Sequence, residues 1–182
     1  MRYIKYSIIN HDFKGEFMIS LQIVDTKNFM KHLLLTDTFD SFLTVEATIT
    51  TFSTFHIDGT LHKDYYDDDE LEQLNLTTNH YSHWSQLKPF FLSIIKGQHT
   101  PQNFKIVFLL SPEKIARLIV DTNTSLTASD ISGLYLNLTF NGEQLTCITG
   151  SSLNIFTMDK SFEQHWDDTL KNFLKENALL FE

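Results

Sequence analysis

Two short stretches carry the residue types from which a metal-dependent reaction could be built: His56-Ile57-Asp58 and His62-Lys63-Asp64. Imidazole nitrogen and carboxylate oxygen both suit a divalent ion, and residues two apart on a β-strand point to the same side. A metal-dependent hydrolase would use His56, Asp58, His62 and Asp64 as its ligands. The expected register works against this. Asp58-Gly59 has the composition of a tight hairpin turn, and a two-residue turn there pairs His56 with Leu61 and His62 with Phe55, on opposite faces of the ribbon. Only a bulge or a longer loop would bring the four together. His80, His83 and His99 could add ligands, but their spacing matches no closed zinc site.

Other reactive groups offer less. Cys147 lies in a strand-like stretch without the cations or helix start that would activate a thiolate. The chain has no Gly-rich phosphate loop, no nucleophile elbow and no His-Glu-x-x-His pattern. Asp67, Asp68, Asp69 and Glu70 lack the glycine and alternating oxygen spacing of a calcium loop and read as a solvated loop or helix start. No cofactor is expected, and binding without catalysis is the leading expectation.

Charge narrows what could be bound. The formal net charge of −9 argues against a surface coated with nucleic-acid contacts, though it permits one local basic face. Of the 14 Lys and Arg, only Arg2, Lys5 and Lys14 precede Met18, and most of the rest fall in segments of helical pattern. Lys27, Lys31, Lys88, Lys114, Arg117 and Lys171 are therefore the candidate binding residues, on helix faces that could meet a protein partner or a nucleic acid.

The elements that must position these groups follow from periodicity. Residues 19–24 alternate as a strand, and Asp25 or Thr26 caps a helix with Phe29, Leu33 and Leu34 on one face. Residues 45–57 read as one long strand with Val45, Ala47, Ile49, Phe55 and Ile57 on one side, followed by a return strand to about Tyr66. Residues 82–95 read as a helix whose Pro89 implies a late start or a kink. Residues 104–110 form a continuous apolar run, typical of a strand buried on both faces. Ser111-Pro112 starts a helix with Ile115, Leu118 and Ile119 inward. Leu134, Leu136, Leu138 and Phe140 alternate before the hairpin signal Asn141-Gly142, and Leu145 and Cys147 continue that sheet. Asp159 opens a last helix carrying Phe162, Trp166, Leu170, Phe173 and Leu174.

Read as elements, both halves run strand, helix, strand, strand, helix. Asp25 and Ser111, Asp58-Gly59 and Asn141-Gly142, and His83-Trp84 and His165-Trp166 recur at offsets of 86, 83 and 82 residues. The fold class is α+β, internally duplicated, with half-repeats at about 18–97 and 104–177 pairing across a pseudo-twofold axis and helices packed on a mainly antiparallel sheet. Residues 18–182 form a single domain. Lys14-Gly15-Glu16-Phe17-Met18 is what a bacterial ribosome-binding sequence and start codon would encode, so Met18 is expected to be the true start and residues 1–17 a leader; the alternative is an extra strand at residues 3–9.

One cysteine among 182 residues fits a reducing cytoplasm, and no apolar run reaches the roughly 18 residues that span a bilayer. No membrane partner is expected, and a homo-oligomer is compatible with every reading.

The segments FDSFLTVEATITTFSTFHIDG, WSQLKPFFLSIIKG and LNLTFNGEQLTCITGSSLNIFTMDK resemble an uncharacterised family of unknown function from gut Clostridia. No catalytic or binding residue comes with that resemblance. Residues 104–156 are also similar to the repeating unit of DNA sliding clamps, which implies a clamp-like scaffold with basic helices facing a nucleic acid. Trp166 and the last helix depart from that unit. The tail Ala178-Leu179-Leu180-Phe181 resembles clamp-docking peptides but lacks their leading Gln.

Overall fold

Alternating apolar residues can be buried together only if every strand of a sheet turns the same parity to one side, and one rung meets this condition across the whole molecule. Ile57, Ala47, Ile106, Leu138, Cys147 and Leu21 are successive cross-strand partners. The next rung, His56, Thr48, Lys105, Thr139, Thr146 and Gln22, is polar and turns the other way. The computed structural model describes residues 19–182 apart from Asn75, Gln98 and Asn123. The expected leader at residues 1–17 lies outside them, as does the alternative strand.

The strands are β1 (Ser20–Gln22), β2 (Leu43–Thr50), β3 (Thr54–Asp58), β4 (Asn103–Leu109), β5 (Ile131–Phe140) and β6 (Leu145–Leu153). They form one antiparallel sheet in the order β1-β6-β5-β4-β2-β3. The helices are α1 (Thr26–Leu35), α2 (Asp68–Gln73), α3 (Trp84–Ile95), α4 (Pro112–Thr122) and α5 (Ser161–Glu176). Phe29 and Leu33 of α1, Trp84 and Phe91 of α3, Leu118 of α4 and Phe162, Trp166 and Leu170 of α5 share one core with the apolar rungs. The α+β class is as the periodicity implies.

Caps and turns explain the boundaries. The Asp25 carboxylate accepts the Asn28 N–H at 2.9 Å and starts α1. Asp67 and Glu70 form a reciprocal capping box on α2, so the acidic run is a helix start. Asn141 Oδ1 accepts the N–H groups of Glu143 and Gln144, and Gly142 adopts φ +98°, closing the β5–β6 hairpin in four residues. Pro89 lies within α3 without delaying its start. The Ser85 carbonyl it leaves without a helical donor is on the exposed side, where water can serve it.

Three sequence expectations are corrected. The long strand over residues 45–57 is two strands, because the chain reverses at Thr51-Phe52-Ser53, pairing Ile49 with Phe55 and Ala47 with Ile57. A straight strand of that length would run about 43 Å, well beyond its neighbours, and the reversal keeps the same apolar residues on the core side. Asp58-Gly59 is consequently no hairpin turn. Gly59 passes so close to β2 that a Cβ would sit 1.7 Å from the Thr44 carbonyl oxygen, and residues 63–65 form a 3-10 turn where a return strand was expected. Along β4, Phe104, Ile106 and Phe108 are buried on the core side, while the other side grades from exposed Lys105 to buried Val107, so burial on that second face is partial.

The order strand, helix, strand, strand, helix does recur, with α2 interposed before α3. The sheet does not follow it. β4 lies between β5 and β2, whereas β1 lies at the far edge beside β6, so no pseudo-twofold axis relates the halves. Trp84 is the first residue of α3 while Trp166 lies in the second turn of α5, so that landmark occupies different local structure. Outside β1, Ile23 pairs with Phe181, and Gln22 and Glu182 exchange two backbone hydrogen bonds of 2.9 and 3.0 Å. The Leu-Phe tail thus covers the chain's own sheet edge.

Candidate functional site

α4 presents Lys114, Arg117 and Asp121 at positions i, i+3 and i+7, one stripe beside its inward Ile115 and Leu118. α5 answers with Trp166, Thr169, Leu170 and Phe173, again i, i+3, i+4 and i+7. Where the two helices meet, these stripes and Phe42 and Leu110 enclose a cavity of about 210 Å³. The floor is aromatic. Phe42 and Phe173 pack edge to face with centroids 5.7 Å apart, and the Trp166 indole N–H donates to the Tyr135 carbonyl at 3.3 Å.

The cations at this cavity are not neutralised. Lys114 is half-buried, donates to Ser41 Oγ at 2.6 Å and places its amine 5.3 Å from the centre of the Phe42 ring. No carboxylate among the described residues lies within 4.0 Å of Lys114 or Arg117. Burial, and secondarily the charge of Arg117, hold the Lys114 amine below its ordinary 10.5. An exposed guanidinium and a partly desolvated ammonium at the mouth of an apolar slot can hold an anion whose remainder is apolar.

The remaining candidate cations divide. Lys88 is bound to Asp40 and donates to the Thr36 carbonyl at 2.7 Å, tying α3 to the loop before β2. Lys171 pairs with Asp168 at 3.1 Å. Lys27 and Lys31 are exposed and line a separate shallow cleft between α1 and α3, with Met30, Leu34, Leu35 and Leu92.

The metal candidates are spread over a bend. His56 is on the polar face of β3, its Nδ1 3.3 Å from Thr48 Oγ1. Asp58 Oδ1 accepts the Thr60 N–H at 2.9 Å and its hydroxyl at 2.7 Å. Those two bonds, more than His56 and His62 nearby, hold its carboxyl below the usual range. Asp58, His62 and Asp64 line one open hollow with Tyr65, Tyr66 and Leu87, and His56 is not part of it. Among the described residues no three His, Cys, Asp or Glu side chains converge as metal ligands. Of the additional histidines, His83 accepts a hydrogen bond from the Asn79 amide at 3.1 Å and borders α4. Burial lowers its value from 6.5, against a smaller opposing effect of Glu113. Cys147 is buried in the sheet, which raises its thiol far above the ordinary range.

Sequence reasoning placed Trp166 and Phe173 on the apolar face of the last helix, missed their second role as cavity floor, and did not single out Phe42. It also missed Glu163 and Asp167, which are buried on α5 at 4% and 6% exposure. Asp167 accepts the Thr149 hydroxyl at 2.5 Å, and burial still raises its carboxyl above 3.8. The available signal was their spacing: position 163 falls between Leu170 and Leu174 on the apolar arc of the helix, and position 167 lies just past Leu174 at the edge of that arc.

A model of a family of unknown function (DUF5721) matches residues 32–182. The chain belongs to that family. No curated protein and no solved structure matches it. The α4–α5 cavity of this family member falls wholly inside the matched stretch, as do His56, Asp58, His62 and Asp64, whereas Lys27 and Lys31 precede it. Among the described residues no helix is long and apolar enough to cross a membrane.

Proposed function

We propose that this protein is a non-catalytic cytoplasmic binding protein that takes up an anionic partner at the α4–α5 cavity. The observation that carries this reading is the pair Lys114 and Arg117, set without a carboxylate partner over an aromatic floor. A buried or half-buried cation with no counter-ion costs stability, and a bound anion removes that cost. Ion pairing of Lys88 and Lys171 leaves less free positive charge on the helices, which favours a discrete ligand over a clamp-like grip on nucleic acid.

Native mass spectrometry of the protein taken from its own host tests the reading. The wild type is expected to carry a partner that Arg117→Glu loses. Retention of the same partner by Arg117→Glu would overturn the assignment of the cavity.

The second reading is a metal-dependent hydrolase, favoured by Asp58, His62 and Asp64 lining one hollow. A stoichiometric divalent metal that is lost on His62→Ala would put it first.

A further inference from the structure

Resting on that reading, we propose that the ligand of the α4–α5 cavity is a small monocarboxylic acid with a flat apolar body, its carboxylate held by Lys114 and Arg117 and its body against Phe42, Trp166 and Phe173. Size, wall chemistry and charge converge on this class.

The cavity of about 210 Å³ is smaller than sites that hold drug-sized ligands. It suits a molecule on the order of ten non-hydrogen atoms. Its walls are apolar except for Lys114, Arg117, Asp121 and Thr169. Thr169 spends its hydroxyl proton on the His165 carbonyl at 2.7 Å, so it offers the ligand no donor. Recognition of a polyhydroxylated ligand would need several convergent donors and acceptors, which this lining lacks. A flat hydrocarbon body instead meets the Phe42 and Phe173 rings, which pack edge to face with each other, and the Trp166 indole beside them.

The charge balance selects one negative charge. Two cations face one carboxylate, Asp121, which lies one turn beyond Arg117 and opposes additional negative charge. Phosphate sites draw on several backbone N–H groups, commonly from a glycine-rich loop or a helix start. Here α4 begins with Pro112, which has no N–H, and none of the cavity residues is a glycine. A carboxylate needs only what is present, the guanidinium fork of Arg117 and the two remaining protons of the Lys114 ammonium after its bond to Ser41.

The experiment is calorimetric titration of the full chain with phenylacetate, phenylacetamide and benzylphosphonate, repeated on Lys114→Met and Arg117→Gln. Tryptophan emission is followed in parallel, because Trp166 lines the cavity while Trp84 is fully buried elsewhere in the core. Phenylacetate is expected to bind about tenfold or more tightly than its neutral amide, with a change in emission. That preference should collapse in Lys114→Met and shrink in Arg117→Gln, while both variants keep the wild-type urea midpoint or exceed it. Equal binding of acid and amide, a preference for the phosphonate, or a preference unchanged by Lys114→Met would each overturn the ligand class. If the small acids fail while Arg117→Glu still sheds the host partner, the ligand class falls and the cavity remains the binding site. If Arg117→Glu also keeps that partner, both fall.

Discussion

The α4–α5 cavity and the bend from His56 to Asp64 both concentrate groups capable of chemistry, and they use them in opposite ways. At the bend Asp58 serves its own turn by holding the Thr60 N–H and hydroxyl, and His56 sits beside Thr48 on an open face. At the cavity, Lys114 and Arg117 stand over an apolar floor with no carboxylate of the described residues within 4.0 Å, Asp121 lying one turn beyond Arg117. Satisfied polar groups mark a structural role, whereas charge left uncompensated beside buried aromatic surface marks a place that something else completes. His83 stands at the border, since Ser82 and Leu87 line the hollow of the bend while Glu113 and Lys114 act on its ring.

The comparison is broken most severely through packing. Trp166→Ala is expected to cost about 3–5 kcal/mol, because the indole is 3% exposed and roofs the core as well as lining the cavity. Tyr65→Ala, at an 83% exposed ring in the hollow, should change stability by less than about 0.5 kcal/mol. Urea denaturation of both variants checks the contrast, and a Tyr65 loss as large as the Trp166 loss would erase it.

His83 supplies the pH dependence. Its folded value lies below 6.5, so its contribution to stability is complete above pH 6.5 and is lost as pH falls through the folded value. The wild-type urea midpoint should therefore drop on acidification from pH 7, and His83→Gln should flatten that part of the profile. A profile unchanged by the substitution would remove His83 from the account.

Lys114 carries the finer test of the cavity. An amine with a lowered folded value contributes stability only above its ordinary 10.5, so at neutral pH its charge is a cost. Lys114→Met is expected to hold or raise stability, by up to about 1 kcal/mol, even though it removes the bond to Ser41. A clear loss would instead make Lys114 a structural strut.

The smallest effect is expected at the bend. His62→Ala should shift stability by less than about 0.5 kcal/mol, and added zinc should leave the thermal midpoint of the wild type unchanged. A zinc-dependent rise that His62→Ala abolishes would reverse the comparison and restore the metal centre.

Local sequence determined a good deal of this protein. The caps at Asp25 and Asp67, the Asn141-Gly142 hairpin, the inward stripes of α1, α4 and α5 and the shared parity of Ala47, Ile49, Phe55 and Ile57 each depend on residues within a few positions of one another. Lys114 and Arg117 were legible as binding candidates for the same reason, although Lys88 and Lys171 looked alike and proved to be ion-paired. Tertiary structure decided where β2 turns back, because strand length is set by the neighbours a strand must match. It decided that Gly59 serves a close approach to Thr44, which no local pattern distinguishes from a turn. It placed β1 and β4 at inequivalent positions in the sheet despite the recurring order of elements. The cavity itself joins Phe42 to Phe173 across most of the chain, and such a meeting depends on which long-range packing is lowest in free energy, a property of the whole core that no short window of sequence contains.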